Sequence, residues 1–237
     1  MCAIRMKAEP PTAGSPQRAS RWGDLGLRFA SALVLVPVAL IALLGGGWWW
    51  RGLVAAIFAA MIVEWAALAR HVRPAARPAF LAAGLAYAAL PALAMIWLRD
   101  RPGTGMRDVF FVLIIVWTTD IGAYLVGRLI GGRRLAPWIS PGKTVSGALG
   151  GLVFALVAGI LLAGLPLGMV PAAILSVVAQ IGDLGESAVK RVLGVKDSGR
   201  TIPGHGGLFD RLDGVLAAAP VAALLALAAQ GGVPLWR

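Results

Sequence analysis

Charged side chains are scarce in this sequence, and acidic ones are the scarcest. Only 14% of the 237 residues are charged, with 11 acidic and 22 basic side chains, whereas a soluble domain typically has about 25% charged residues. The single cysteine, Cys2, excludes an intrachain disulfide and a cysteine-based metal cluster. Because 59% of the residues are hydrophobic and the mean hydropathy is +0.80, the composition indicates a polytopic membrane protein.

The charge balance is strongly basic. The net charge is +11 and the sequence pI is about 11.3, which in a soluble protein would suggest a nucleic-acid partner. In a membrane protein, however, Lys and Arg determine topology and contact anionic lipids. We therefore expect the lipid bilayer as a partner and no nucleic acid.

Long apolar runs predict the fold. Residues 1–28 contain three prolines and scattered basic residues, and we expect them to form a loose basic cytoplasmic tail. Residues 29–237 are expected to be a single integral membrane catalytic domain, all-α and polytopic, with about seven transmembrane helices and a range of six to nine. Each run approaches the ~20 residues that cross ~30 Å of hydrocarbon. The runs are 29–44, 52–69, 79–98, 109–127, 145–163, 167–182 and 214–229.

The basic residues also predict the orientation. With the N-terminus inside, about three quarters of the 22 Lys and Arg residues fall in inside segments, which obeys the positive-inside rule. We therefore expect a multi-pass protein of the cell (inner) membrane. The same orientation places the polar segment 182–213 at the cytoplasmic face.

The segment 182–213 lies between two long uncharged blocks and carries five of the 11 acidic residues. At about 100° per residue, Asp183, Ser187 and Lys190 fall on one stripe of a helix, with Arg191 beside them. A carboxylate near the membrane boundary is costly unless it is paired or bound to a cation. Asp183 is therefore either a divalent-metal ligand, the favoured interpretation, or the ion-pair partner of Lys190 or Arg191.

A glycine-rich loop and a second helix follow. Glycines at 199–207 let backbone N–H groups approach an anion, and charge or donors would come from Lys196, Arg200 and His205. Asp210 and Asp213 are three residues apart and share a helix face. Acids in a first turn also complement the helix dipole, but together with several cations they suit a Mg²⁺–triphosphate complex.

Two acids lie within other apolar runs. Intramembrane acids are functional by default, so Asp120 either joins the site or pairs with Arg128. For Glu64, a buried hydrogen bond between helices is the favoured interpretation.

Twelve positions of the segment form a spaced motif. They are Ser187, Lys190, Arg191, Lys196, Asp197, Gly199, His205, Gly206, Gly207, Asp210, Arg211 and Asp213. The motif matches the signature of the phosphatidate cytidylyltransferases, also called CDP-diacylglycerol synthases, and the chain resembles that family more loosely from about residue 60 onward. The family usually has an acidic residue after the pair Lys143-Thr144, where this chain has Val145 and Ser146.

The resemblance implies transfer of the cytidylyl group of CTP to phosphatidate, giving CDP-diacylglycerol and pyrophosphate for phospholipid synthesis. It also implies a homodimer and a Mg²⁺ cofactor, and it does not decide whether a second cation binds. The implied metal ligands are Asp183 and Asp210, and the same catalytic centre would include Ser187, Lys190 and Arg191. Phosphate contacts are expected from Lys143, Lys196, Arg200, His205 and Arg211, with supporting roles for Asp120, Asp197 and Asp213.

Three other functions are less consistent with the sequence. A CTP-dependent polyprenol or phytol kinase would transfer the γ-phosphate to an alcohol, and the complete motif argues against it. An anion transporter would show paired repeats and charges at mid-membrane, whereas the charges here cluster towards one face. An inactive lipid-binding relative would not need the intact motif.

Overall fold

The computed structural model of the protein describes residues 37–195, 197–199, 207–229 and 235. Seven α-helices lie within these residues: α1 (described from residue 37 to residue 45), α2 (Gly47–Leu68), α3 (Arg77–Asp100), α4 (Gly105–Leu129), α5 (Val145–Ala163), α6 (Met169–Val192) and α7 (Phe209–Ala228). Two short 3-10 helices, Ala69–His71 and Pro74–Ala76, connect α2 to α3. The predicted tail, 1–28, and the predicted site residues Lys196, Arg200 and His205 lie outside the described residues.

The expected all-α polytopic membrane fold is confirmed. Six of the described helices, α2 to α7, are long and apolar enough to cross a membrane, within the expected range of six to nine. Helix α6 continues to Val192 and α7 begins at Phe209, so both extend beyond the apolar runs that predicted them. As a result, most of the charged motif residues are carried on helix ends.

A two-stranded hairpin between α4 and α5 was not expected. Strand β1 (Arg134–Ala136) pairs antiparallel with β2 (Ser140–Thr144). At the end of β2 the hydroxyl of Thr144 accepts a hydrogen bond from the backbone N–H of Gly147 (3.0 Å), which caps the N-terminus of α5. The hairpin is therefore joined rigidly to the first turn of α5.

Small residues allow the helices of the bundle to pack closely. A Cβ atom added at Gly122 of α4 would lie 2.6 Å from Phe154 of α5, and one at Gly168 would lie 2.0 Å from the carbonyl oxygen of Gly159. Such contacts are typical of membrane helices, whose association depends on close backbone approach. Pro166 lies in the turn between α5 and α6, so the expected separation of the runs 145–163 and 167–182 is confirmed.

An aromatic cluster fixes the start of α7 against α2 and α3. The ring of Trp65 stacks on Phe80 at 4.6 Å and contacts Phe209 at 5.4 Å, and Tyr87 stacks on Phe209 at 6.0 Å. The indole N–H of Trp65 donates to the carbonyl of Phe80 (2.7 Å). Because Phe209 is the first residue of α7 and is 1% exposed, this packing holds the helix end in place.

At its opposite end the bundle contains a buried ion pair. Asp108, in the first turn of α4, is fully buried. Its carboxylate accepts from Arg101 Nη1 (2.6 Å), Thr104 Oγ1 (2.9 Å) and the backbone N–H of Leu235 (2.9 Å). This network ties Leu235 to the α3–α4 connection.

Replacing Gly84 with alanine is expected to destabilise the protein. The added Cβ would lie 2.0 Å from the indole of Trp65 and would push that ring out of the aromatic cluster. Overpacking of this kind costs about 1–3 kcal/mol, measurable as a lower midpoint of thermal unfolding in detergent. Gly52→Ala is the matched control, because nothing lies within 4 Å of its added Cβ; an equal loss in both variants would contradict the packing argument.

Candidate active site

A charged pocket of about 830 Å³ lies where the C-terminal halves of α4 and α6 and the start of α7 meet the hairpin and the first turn of α5. Its lining combines four acids with four basic residues. The acids are Asp120, Asp183, Asp210 and Asp213, and the basic residues are Arg128, Arg134, Lys143 and Arg211. Six of the residues expected at a site from the sequence (all but Arg128 and Arg134) therefore share one pocket.

Asp183 of α6 forms an ion pair with a lysine of the hairpin. Its Oδ2 lies 2.5 Å from Nζ of Lys143, which projects from β2. Asp213 on α7 is close enough to interact electrostatically with Asp183, and Asp120 on α4 is close enough to interact with both Asp183 and Lys143. Two neighbouring carboxylates repel each other unless a proton or a cation lies between them.

The carboxylate set fits a Mg²⁺ ion that is shared with a substrate. Among the described residues, no three His, Cys, Asp or Glu side chains are grouped so as to hold a metal by themselves. Mg²⁺ is usually bound by one or two carboxylates together with substrate phosphates, because it keeps an octahedral shell of oxygens. Asp183 and Asp213 supply such a pair, and the ligand roles of Asp183 and Asp210 remain predictions.

Asp210 has a different environment, although it lines the same pocket. Its Oδ1 lies 2.5 Å from Nζ of Lys190. Its Oδ2 accepts from the backbone N–H and the hydroxyl of Ser198 (3.0 and 3.1 Å) and from the backbone N–H of Gly207 (3.1 Å). Asp210 therefore joins α6, the segment 197–199 and the start of α7.

Two residues of this network were missed from the sequence, Glu186 and Ser198. Lys190 lies between two carboxylates, since its Nζ is also 3.1 Å from Oε1 of Glu186. The side chains of Glu186 and Lys190 are 6% and 15% exposed, so the pair is largely buried. The i,i+4 spacing of Glu186 and Lys190 was a usable signal for this pairing, whereas nothing in the sequence marked Ser198.

Glu64 of α2 makes the buried contact that the sequence favoured for it. It is 2% exposed, and its carboxylate accepts from the backbone N–H groups of Leu208 (2.7 Å) and Phe209 (3.1 Å) and from the hydroxyl of Ser198 (3.2 Å). These bonds connect the C-terminal part of α2 to the N-terminus of α7.

Other predicted site residues lie at the margin of the pocket or beyond it. Arg191 is exposed, and its Nε donates to the carbonyl of Ile139 (3.1 Å), so it holds the hairpin against α6. Ser187 is half-buried on α6 and Asp197 is exposed. Arg128, the alternative partner proposed for Asp120, donates to the hydroxyl of Tyr124 (2.6 Å).

Ser146 occupies the position at which the resembling family usually has an acid. Its hydroxyl donates to the carbonyl of Gly131 and shares a hydrogen bond with the hydroxyl of Thr144 (3.0 Å). A neutral side chain therefore closes the base of the hairpin in this chain.

A second, apolar cavity of about 280 Å³ lies among α1, α2, α3, α4 and α7. On α4 it is lined by Phe110, Leu113 and Trp117, while Asp120 and Tyr124 of the same helix line the charged pocket. These five residues are spaced by three or four positions, which places them on one face of α4. The charged pocket and the apolar cavity thus follow one another along this helix.

Comparison with known proteins agrees with this geometry. The model of the cytidylyltransferase family matches residues 79–228. Phosphatidate cytidylyltransferases of Brucella suis, Staphylococcus saprophyticus and Bacillus subtilis are 50%, 40% and 46% identical over 160, 154 and 132 residues, which is 65%, 62% and 53% of this chain. The matched segments cover 59%, 58% and 49% of those relatives, so less than two thirds of each relative is represented here. Since the family match spans more than half of the chain and includes α3 to α7, this protein belongs to the cytidylyltransferase family.

Proposed function

We propose that this protein transfers the cytidylyl group of CTP to phosphatidate and releases pyrophosphate, forming CDP-diacylglycerol for phospholipid synthesis. The observation that carries the proposal is the pocket in which acids from three helices, α4, α6 and α7, face cations from α4, the hairpin and α7. The names of the similar proteins, phosphatidate cytidylyltransferases, support the same substrates.

The reaction needs charge neutralisation more than it needs a protein nucleophile. A phosphate oxygen of phosphatidate attacks the α-phosphorus of CTP, a new P–O bond forms, and the bond to the bridging oxygen of the β-phosphate breaks. Pyrophosphate leaves with that electron pair. Because both reactants are anionic, the barrier falls only if cations offset the charge of the nucleophile, the nucleotide and the leaving group.

The residues of the pocket divide naturally between these tasks. Asp183 and Asp210 are the proposed Mg²⁺ ligands, and Asp213 is placed to assist because it lines the same pocket beside Asp183. When bound, Mg²⁺ would neutralise phosphate oxygens and orient the triphosphate. The proposal is compatible with one Mg²⁺ ion or with a second cation beside it. Lys143 and Arg211 line the pocket and would contact phosphates.

Lys190 has a supporting part in the proposal, since its ammonium group neutralises Asp210 and Glu186. Lys196, Arg200 and His205, which lie outside the described residues, remain predicted phosphate contacts.

The membrane setting follows from the same arrangement. The pocket is lined by the C-terminal halves of α4 and α6 and by the start of α7, which are helices long enough to span a bilayer. A phosphate headgroup can therefore enter it while the acyl chains stay in hydrocarbon. The apolar cavity along α4 offers space for part of one chain. We propose that the pocket faces the cytoplasm of the cell (inner) membrane, as the distribution of basic residues predicts, and that the protein acts as a homodimer.

A direct assay tests the function. Purified protein in mixed micelles with phosphatidate, CTP and Mg²⁺ is expected to release pyrophosphate, and ATP or GTP in place of CTP is expected to give little. Omitting phosphatidate is the control for nucleotide hydrolysis. Formation of CDP with phosphorylation of an added lipid alcohol, and no pyrophosphate, would instead indicate a kinase.

A further inference from the structure

We propose that Glu64 is a positioning residue for this reaction: from α2 it fixes the N-terminus of α7 and thereby the orientation of Asp210. The inference rests on the proposed function for its kinetic part and on the contacts of Glu64 for its structural part.

The first step of the argument is that α7 begins without a cap of its own. Its N-cap residue is Leu208, which makes no side-chain capping bond. The first N–H groups of a helix lack partners within the helix and need acceptors from elsewhere. Glu64 supplies them, since its two carboxylate oxygens accept from the N–H groups of Leu208 and Phe209 at 2.7 and 3.1 Å.

The second step is that the same carboxylate is connected to Asp210 through one hydroxyl group. Ser198 Oγ lies 3.2 Å from Oε2 of Glu64 and 3.1 Å from Oδ2 of Asp210. Because a hydroxyl has a single hydrogen to donate, the positions of the two carboxylates depend on each other. Replacing the carboxylate by an amide leaves one acceptor oxygen where there were two, so either the N–H of Leu208, or the N–H of Phe209 together with the Ser198 hydroxyl, loses its acceptor.

The third step is that the packing around Glu64 leaves little freedom to adjust. A Cβ at Gly207 would lie 2.8 Å from Oε2 of Glu64 and 1.9 Å from Ser198 Oγ, and one at Gly199 would lie 2.9 Å from Cγ of Glu64. The segment 197–199 and residue 207 therefore approach the carboxylate as closely as glycine allows. A shift of Glu64 must move the backbone that donates to Asp210.

Glu64→Gln is the test variant, because it keeps the size of the side chain and removes its charge. We expect kcat for pyrophosphate release to fall about a hundredfold, the scale of an ångström-sized misplacement, while KM for CTP and phosphatidate changes less than about threefold. Amide hydrogen exchange of residues 207–213, followed by mass spectrometry, is expected to become at least about tenfold faster.

Asp108→Asn is the matched control. It neutralises a buried carboxylate that also accepts three hydrogen bonds. Asp108 lies in the first turn of α4, at the end of that helix that is remote from the charged pocket. This variant is expected to lose stability and to keep kcat. A similar loss of kcat in Asp108→Asn, or a kcat for Glu64→Gln within threefold of the unmodified protein, would overturn the positioning role.

Two further measurements keep the test decisive. If Glu64→Gln does not fold, Ser198→Ala removes the shared hydroxyl alone, and an unchanged kcat in that variant rejects the connection to Asp210. If the unmodified protein releases no pyrophosphate, the proposed function fails, and the exchange of residues 207–213 still decides whether Glu64 holds the start of α7.

Discussion

Asp183→Asn is expected to abolish pyrophosphate release, with a loss on the order of a thousandfold. The asparagine keeps the shape of the side chain but leaves Lys143 without the carboxylate that lies 2.5 Å from it. It also removes one of the two neighbouring acids, Asp183 and Asp213, that α6 and α7 place in the pocket. Both the proposed metal site and the orientation of a phosphate-binding lysine are therefore lost in a single step.

The loss should reflect chemistry and not unfolding. The side chain of Asp183 is 34% exposed, so its replacement is expected to change the midpoint of thermal unfolding little. Asp100→Asn is the control, because Asp100 pairs with Arg51 (2.7 Å) at the far end of α3. Raising the Mg²⁺ concentration should not rescue Asp183→Asn; activity above about a tenth of the unmodified rate would exclude Asp183 as an essential ligand.

Much of this fold could be predicted from the sequence because a bilayer imposes few choices. An apolar run of about 20 residues must be helical, since its backbone groups have no other partners in hydrocarbon. The same periodicity placed Asp183 and Lys190 on one stripe of α6. The motif residues that followed then predicted that α6 and α7 meet at a charged site, as the shared lining of the pocket shows.

Pairing between elements could not be predicted in the same way. The sequence suggested Lys190 or Arg191 as the partner of Asp183, whereas the structure pairs Asp183 with Lys143 and places Lys190 between Glu186 and Asp210. Helical periodicity shows which residues share a face, but it does not show which neighbouring element lies opposite that face. The partner of a charge is decided by tertiary packing.

The hairpin escaped prediction for a related reason. Its strands have three and five residues, too few for an alternating pattern to stand out, and Pro141 lies within the second strand. Of its basic residues, Lys143 was expected to contact phosphates, whereas Arg134 was interpreted only as a topology signal. Both line the pocket, so the same basic residues can set the topology and take part in the site.

Lys190→Met is expected to have the second large effect, on both stability and activity. Lys190 neutralises Glu186 and Asp210, at 3.1 and 2.5 Å, and the three side chains are 6–15% exposed. Methionine fills a similar volume but leaves two buried carboxylates without their cation. Breaking a buried ion pair costs about 3–5 kcal/mol, so unfolding in detergent should begin at a clearly lower temperature, and pyrophosphate release should fall below detection.

A double variant separates the structural role of Lys190 from its role in the reaction. Adding Glu186→Gln to Lys190→Met removes one of the two uncompensated charges, and it should therefore recover part of the lost thermal stability. Activity should stay absent, because Asp210 still lacks the ammonium group that holds its Oδ1. If the double variant regains both stability and pyrophosphate release, Lys190 serves the fold alone, and the charge of Asp210 needs no partner during the reaction.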